Sequence, residues 1–160
     1  GHFMTNDYSD MLRQTAFSEG LTEEELKVIS PICHELQFKE GEELSSEASK
    51  GSELYIICKG RISVEVALLN GVGRRSERLE LATSGMIVGE LALVDGSPRS
   101  ARAFSYEDTT VLEIKSDDIR KIMEEYPRIG YIVMRNLAVV LTRRLRNTNL
   151  RLRNELFWSR

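Results

Sequence analysis

Polar and apolar positions change their period twice along the chain. Asp10 to Ala16 and Thr22 to Cys33 read as two short helices, and Thr22 with Glu25 three positions later fits a capping box opening the second. Leu26 and Ile29 give that helix an apolar side. From Glu35 the period shortens to two: Leu36 and Phe38 alternate with Gln37 and Lys39, and Leu54 to Cys58 is a continuous run expected of a buried strand. Lys59-Gly60 turns, and Ile62, Val64 and Val66 alternate with Ser63 and Glu65. Gly71-Val72-Gly73-Arg74-Arg75 reads as a loop, Leu79 and Leu81 flank Glu80, and Arg102 to Tyr106 and Thr110 to Lys115 give two further strands. Short strands at regular spacing, separated by glycine turns and flanked by helices, predict an α+β, mainly β fold of the sandwich or jelly-roll kind.

The period lengthens again at Ser116. An amphipathic helix capped by Ser116 or Asp117 is expected to run to Tyr126, where Pro127 opens a second helix reaching about Phe157. At 1.5 Å per residue that helix would be roughly 45 Å long, more than a domain of this size needs. Val133, Leu137, Leu141, Leu145, Leu152 and Leu156 form a stripe near heptad spacing, as expected of a two-stranded coiled coil or of packing on the β-roll; because the helix outruns a domain this small, the 127–157 helix is expected to pair two copies as a homodimer.

Composition narrows the class. The 160 residues are 41% hydrophobic and 29% charged, which describes a globular chain with a cytoplasmic expectation, and no apolar run approaches bilayer length. Gly1-His2-Phe3 before Met4 reads as a leftover tag, and no secretory signal is evident. Cys33 and Cys58 belong to no CxxC pair and read as small core side chains; Cys33-His34 is a poor metal site because adjacent strand residues point to opposite faces. No cofactor and no metal are expected. Residues 128–160 hold eight arginines against one acid, Glu155, a local charge of +7 that leaves −10 for residues 1–127 of a chain whose total is −3. The basic tail suits an acidic body or nucleic acid, but no helix-turn-helix follows it, so DNA is not expected as a partner of this chain. An enzyme is not expected either, because no histidine sits with carboxylates at ligand or catalytic spacing.

Residues 85–104 carry the candidate chemistry. Gly89 lacks a Cβ and allows close backbone approach, and Glu90 to Val94 is short and apolar enough to turn helical. Unpaired N–H groups at the start of such a turn, that of Leu91 among them, make an anion site. Asp95-Gly96-Ser97-Pro98 reads as a turn that brings Arg99 back toward it. The Arg99 guanidinium would fork onto two phosphate oxygens, Ser100 would add a hydroxyl, and Ala101 would leave room for its backbone. Glu90 would accept a hydrogen bond from a sugar hydroxyl.

Gly-Glu-Leu-Ala-Leu at 89–93 followed by Ser-Pro-Arg-Ser-Ala at 97–101 resembles the phosphate-binding cassette of cyclic nucleotide-binding domains, the family of protein kinase A regulatory subunits and catabolite activator proteins. Gly51 to Val64 is similar to that family's β-roll signature, and the resemblance spans about residues 12–152. It implies a double-stranded β-helix at 35–115 with the cassette at 85–104, a helical lead-in at 4–34 after the tag at 1–3, and C-terminal helices at 116–160. It also implies cAMP or cGMP as ligand, with cAMP preferred, and Glu90 on the ribose. Related folds that hold haem, 2-oxo acids or chlorinated aromatics generally lack the Glu and Arg combination.

Arg143-Arg144-Leu145-x-x-Thr148 resembles the dimer helix of catabolite activator proteins. The resemblance implies that Thr148 contacts the purine and that Asn149, where the family has Ser, contacts the base from the partner subunit. Val64, Leu79 and Leu81 match apolar positions lining the ribose and base. The expected function is a cyclic nucleotide-binding sensor that rearranges its helices on ligand capture, with a downstream protein partner. The alternative is the effector domain of a transcription regulator whose DNA-binding domain lies elsewhere.

Overall fold

The computed structural model describes residues 6–45, 52–70, 73–90, 93–94 and 101–159. Among the described residues, two short helices, α1 (Ser9–Arg13) and α2 (Glu23–Ile29), precede eight strands: β1 (Cys33–Phe38), β2 (Glu43–Ser45), β3 (Glu53–Lys59), β4 (Ile62–Asn70), β5 (Gly73–Ala82), β6 (Ile87–Val88), β7 (Arg102–Ser105) and β8 (Thr109–Lys115). Helices α3 (Ser116–Glu125) and α4 (Pro127–Trp158) close the chain. The strands form two antiparallel sheets, ordered β1-β8-β3-β6 and β2-β7-β4-β5, the jelly roll expected from the strand spacing.

Two apolar clusters explain the strand patterns. On β3, Leu54 and Ile56 pack outward against the helices, while Tyr55 and Ile57 pack inward between the sheets. On β8, Leu112 and Ile114 face out and Val111 faces in. A strand buried on both faces has no polar alternation to show, which is why 54–58 reads as one apolar run. The outer cluster joins Phe17, Leu26, Ile29 and Ile119 to Ile129, Val133 and Leu137 of α4, so the helices form one layer on the first sheet.

Several boundaries differ from expectation. The second helix ends at Ile29 and a 3-10 turn over Ser30–Ile32 follows, because Pro31 cannot continue an α-helical ladder; β1 then begins at Cys33, two residues before Glu35. Gly73 to Arg75 is strand rather than loop, since β5 pairs with β4 back to Asn70↔Gly73. The α3 N-cap is Lys115, with no side-chain cap; Ser116 is buried and its backbone N–H donates to the Ser52 carbonyl at 2.7 Å instead. Helix α1 stops at Arg13, and the Ala16 N–H leaves the helical pattern to donate to the Gly85 carbonyl at 2.8 Å.

The apolar stripe of the long helix is two faces, not one. Val133 and Leu137 are buried against the body, whereas Leu145, Leu152 and Leu156 are 61%, 53% and 57% exposed. Steps of four residues advance about 40° each on an α-helix, so the stripe from 133 to 145 swings about 120° away from the core.

The capping box at Thr22 forms as expected, with the Thr22 hydroxyl accepting from the Glu25 N–H at 3.2 Å and Glu25 accepting from the Thr22 N–H at 3.0 Å. Both cysteines are unbonded to each other, and burial pushes the Cys33 thiol up to about 12 and the Cys58 thiol up to about 11. Among the described residues, no helix is long and apolar enough to cross a membrane.

Candidate functional site

The site is built where β5, β6 and α4 converge. Strand β6 ends at Val88, and Gly89 follows with φ +87°, a left-handed conformation that a Cβ would strain. Glu90, next in the chain, lies in the interior, 5% exposed. The Glu90 carbonyl then accepts from the N–H groups of Leu93 at 3.1 Å and Val94 at 3.4 Å, the helical turn expected here. Leu93 anchors that turn in the outer apolar cluster.

A buried carboxylate needs a partner, and Glu90 finds Arg144, 54 residues further along the chain. The Arg144 Nη1 group donates to Glu90 Oε1, its Nη2 group donates to the Ile87 carbonyl, and its Nε donates to Glu80 Oε2 at 2.9 Å. One guanidinium thus joins the cassette, the strand leading into it and β5 to the long helix. Arg144 and Glu80 are about three-quarters buried, at 23% and 24% side-chain exposure, which strengthens the contacts relative to a surface pair.

Strand β5 departs from regular pairing at this place. Val64 pairs with Glu80 and Glu65 with Arg78, so Leu79 is the extra residue of a β-bulge. Val64 therefore shares a sheet face with Glu80, and it packs against the inner cluster. Leu81, opposite Ser63, belongs to the alternate set and is half-buried. Leu79 is 44% exposed, and its carbonyl accepts from Arg151 Nη1 at 2.7 Å. Arg144 and Arg151 are seven positions apart, two helical turns, and both reach β5; Thr148 lies between them on the same side of α4. Thr148 and Asn149 are solvent-exposed.

Of the residues assigned from the sequence, Gly89, Glu90, Ala101, Val64, Leu79, Leu81, Thr148 and Asn149 are described, and the structure gathers Glu90, Leu79 and Thr148 around the β5–α4 junction. Leu91, Arg99 and Ser100 lie outside the described residues, as does the Asp95 to Pro98 turn. Sequence reasoning gave Arg144 and Glu80 no role. The available signal was Arg144 four residues before Thr148, on the face that must approach β5 if Thr148 is to approach a base.

Comparison with known proteins shows the family and the fold. The family model described as Cyclic nucleotide-binding domain matches residues 35–126, more than half of the chain. The chain is 30% identical over 133 residues to the Cyclic AMP receptor protein of Thermus thermophilus, covering 83% of this chain and 58% of that protein. It is 32% identical over 134 residues to Glutaminase 1 of Bradyrhizobium diazoefficiens, covering 84% of this chain and 21% of that protein. The chain therefore spans about a fifth to three-fifths of the length of these relatives. A solved cyclic nucleotide-binding domain from Methylobacillus flagellatus superposes with a TM-score of 0.81 at 21% identity, covering 93% of this chain and 82% of that one, a likeness of fold.

Proposed function

Because the chain belongs to the cyclic nucleotide-binding domain family, we propose that it is a cytoplasmic regulatory module that captures cAMP, with cGMP the less favoured ligand. One observation carries the reading. A buried glutamate of the cassette, Glu90, is held by an arginine of the long C-terminal helix, so the ligand site and the output element share one contact. In this reading Arg99 and Ser100 take the cyclic phosphate together with the N–H groups at the start of the cassette turn, Leu91 among them. Gly89 and Ala101 keep the backbone close to the phosphate, and the Oε2 oxygen of Glu90 accepts from the ribose 2′-OH. Val64, Leu79 and Leu81 line the sugar and base, and Thr148 approaches the purine from α4, with Asn149 beside it.

Ligand capture shifts the helix layer by population. Contacts to phosphate and ribose stabilise the cassette in the arrangement that holds α4 down, and a ligand moves that equilibrium only by its differential affinity for the two arrangements. Through Arg144 any displacement of Glu90 is felt at α4 directly. The output passes through a homodimer formed by the 127–157 helix to a downstream protein partner.

The test is calorimetric titration of cAMP into the wild-type chain and Arg99→Ala. The expected result is binding to the first and loss of binding to the second, since the phosphate would face no cation; unchanged affinity would contradict the assignment. A 2′-deoxyribose analogue should bind more weakly for the same reason at Glu90.

A second reading is favoured by the coverage of the Thermus relative, of which this chain matches 58%. The same ligand site would then serve as the effector domain of a transcription regulator whose DNA-binding domain lies outside this sequence. Reading the parent gene distinguishes the two.

A further inference from the structure

The guanidinium of Arg144 is divided among three different groups. Its Nε donates to Glu80 Oε2 at 2.9 Å, its Nη2 group to the Ile87 carbonyl, and its Nη1 group to Glu90 Oε1. A guanidinium and a carboxylate frequently pair through two parallel hydrogen bonds, a fork onto both oxygens. Here Glu90 receives one nitrogen, and among the described residues nothing donates to its Oε2. Charge balance does not explain the arrangement. Arg144 neutralises one carboxylate, and Glu80 brings a second into the same partly buried place, where like charges oppose each other. What Glu80 supplies is a direction. Its own position is fixed: it stands on β5 in register with Val64, whose side chain packs on the inner cluster. Beside it the bulge at Leu79 offers a carbonyl that Arg151 Nη1 takes at 2.7 Å, so α4 is pinned to the same stretch of β5 two turns beyond Arg144. The Ile87 carbonyl is equally fixed, on a fully buried residue of β6 paired with Ile56.

We propose that Glu80 is a positioning residue for ribose recognition: by holding the Arg144 Nε it keeps the guanidinium on one oxygen of Glu90 and leaves the other free for the sugar hydroxyl. Released from Glu80, the guanidinium turns to fork onto both Glu90 oxygens, the geometry that a lone pair of these groups favours. The 2′-hydroxyl then meets an acceptor already engaged. Glu80 thus acts on the ligand through Arg144 and Glu90, without touching the sugar. The inference rests on the reading of Glu90 as the ribose acceptor, and it adds to that reading a residue of β5 that decides how much of the carboxylate the ligand receives.

Two measurements on the full chain test it: calorimetric titration of cAMP and 2′-deoxy-cAMP into wild type, Glu80→Ala and Glu80→Gln, and ligand-free crystal structures of wild type and Glu80→Ala. The wild type should prefer cAMP by about ten- to hundredfold, the range for a hydrogen bond to a charged group, and Glu80→Ala should bring the two ligands to within about threefold of each other. Glu80→Gln keeps an amide oxygen that accepts from Nε and should retain most of the preference. In the Glu80→Ala crystal both Glu90 oxygens should lie within hydrogen-bond distance of the guanidinium. A residue that merely supports the fold would weaken both ligands alike and leave their ratio where it was. A ratio preserved in Glu80→Ala, an equal loss of both ligands, a ratio lost as fully in Glu80→Gln, or a Glu80→Ala crystal in which Arg144 still meets Oε1 alone would each overturn the proposal. The crystals also separate it from the ligand reading. A wild-type chain that binds neither nucleotide removes that reading, whereas Arg144 forked onto Glu90 in Glu80→Ala still upholds the hold of Glu80 on the guanidinium.

Discussion

The two halves of α4 are built to different rules. From Pro127 to Arg144 the helix is part of the domain: Ile129, Val133 and Leu137 are at most 1% exposed, and Asn136 donates from Nδ2 to the Phe17 carbonyl at 2.8 Å and the Glu19 carbonyl at 2.9 Å. From Leu145 to Trp158 every residue is exposed, Trp158 to 82%. The first half is specified by burial and by satisfied polar groups, and the second touches the body through Arg151 on β5. A helix of 32 residues that is half unburied is not explained by its own domain, because helical stability in proteins comes mostly from packing an apolar face. The boundary between the halves falls at Arg144, the residue bonded to the cassette. The buried half of the helix and the exposed half therefore meet at the candidate site.

That contrast can be broken by substitution. Leu137→Ala should destabilise the chain by about 2–5 kcal/mol in urea unfolding, the range for emptying a buried leucine site. Leu152→Ala should cost less than about 0.5 kcal/mol under conditions where the chain is monomeric, as expected of a surface position. Equal costs would show that the halves are not distinct. Arg144→Ala leaves the buried Glu90 carboxylate without its cation and should cost about 3 kcal/mol, a loss that Glu90→Gln in the same background should partly restore. A smaller effect follows at Asn136, where Asn136→Ala leaves two carbonyls short of a donor and should cost about 1–3 kcal/mol.

The smallest effect concerns pH. Glu25 is tied to Arg128 at the start of α4. Burial raises its pKa, but the Thr22 backbone N–H and hydroxyl and the Arg128 guanidinium outweigh it, and the net value is lowered. A carboxyl whose folded pKa is depressed contributes stability above its unfolded pKa and loses it as pH falls through the folded value. Stability should therefore decline on acidification below the ordinary carboxylate range. Arg128→Ala should flatten that decline by no more than about 1 kcal/mol, because Arg128 is largely exposed and solvent screens the pair. An unchanged acid profile would remove Glu25–Arg128 as a clasp between α2 and α4.

Much of this organisation was legible beforehand, for physical reasons that also mark where legibility stopped. The turn into Glu90 was readable at Gly89, where a residue without a Cβ suits a φ of +87°, whereas Arg99 and Ser100 of the expected cassette lie outside the described residues. The strand layout was readable from alternation and glycine turns, and the capping box from Thr22 and Glu25 alone. The Glu90–Arg144 contact was not, because 54 residues separate its members and only the folded chain brings β6 to α4. Strands β2 and β6 were invisible for another reason: runs of three and two residues carry no period. The leucine stripe is legible in the sequence but its division between body and solvent is not, since four-residue steps drift around a helix and only burial shows where the body stops.

The central claim is that Glu90 and the cassette around it bind the ribose phosphate of a cyclic nucleotide. A calorimetric titration of cAMP against the wild-type chain and Glu90→Gln, with 2′-deoxy-cAMP run against both, tests it most directly. The account predicts saturable cAMP binding to the wild type, and weakening on removal of either the 2′-hydroxyl or the carboxylate. The two losses should overlap when combined, because they delete the two ends of one hydrogen bond. Absence of cAMP binding to the wild type, or losses that simply add, would contradict it.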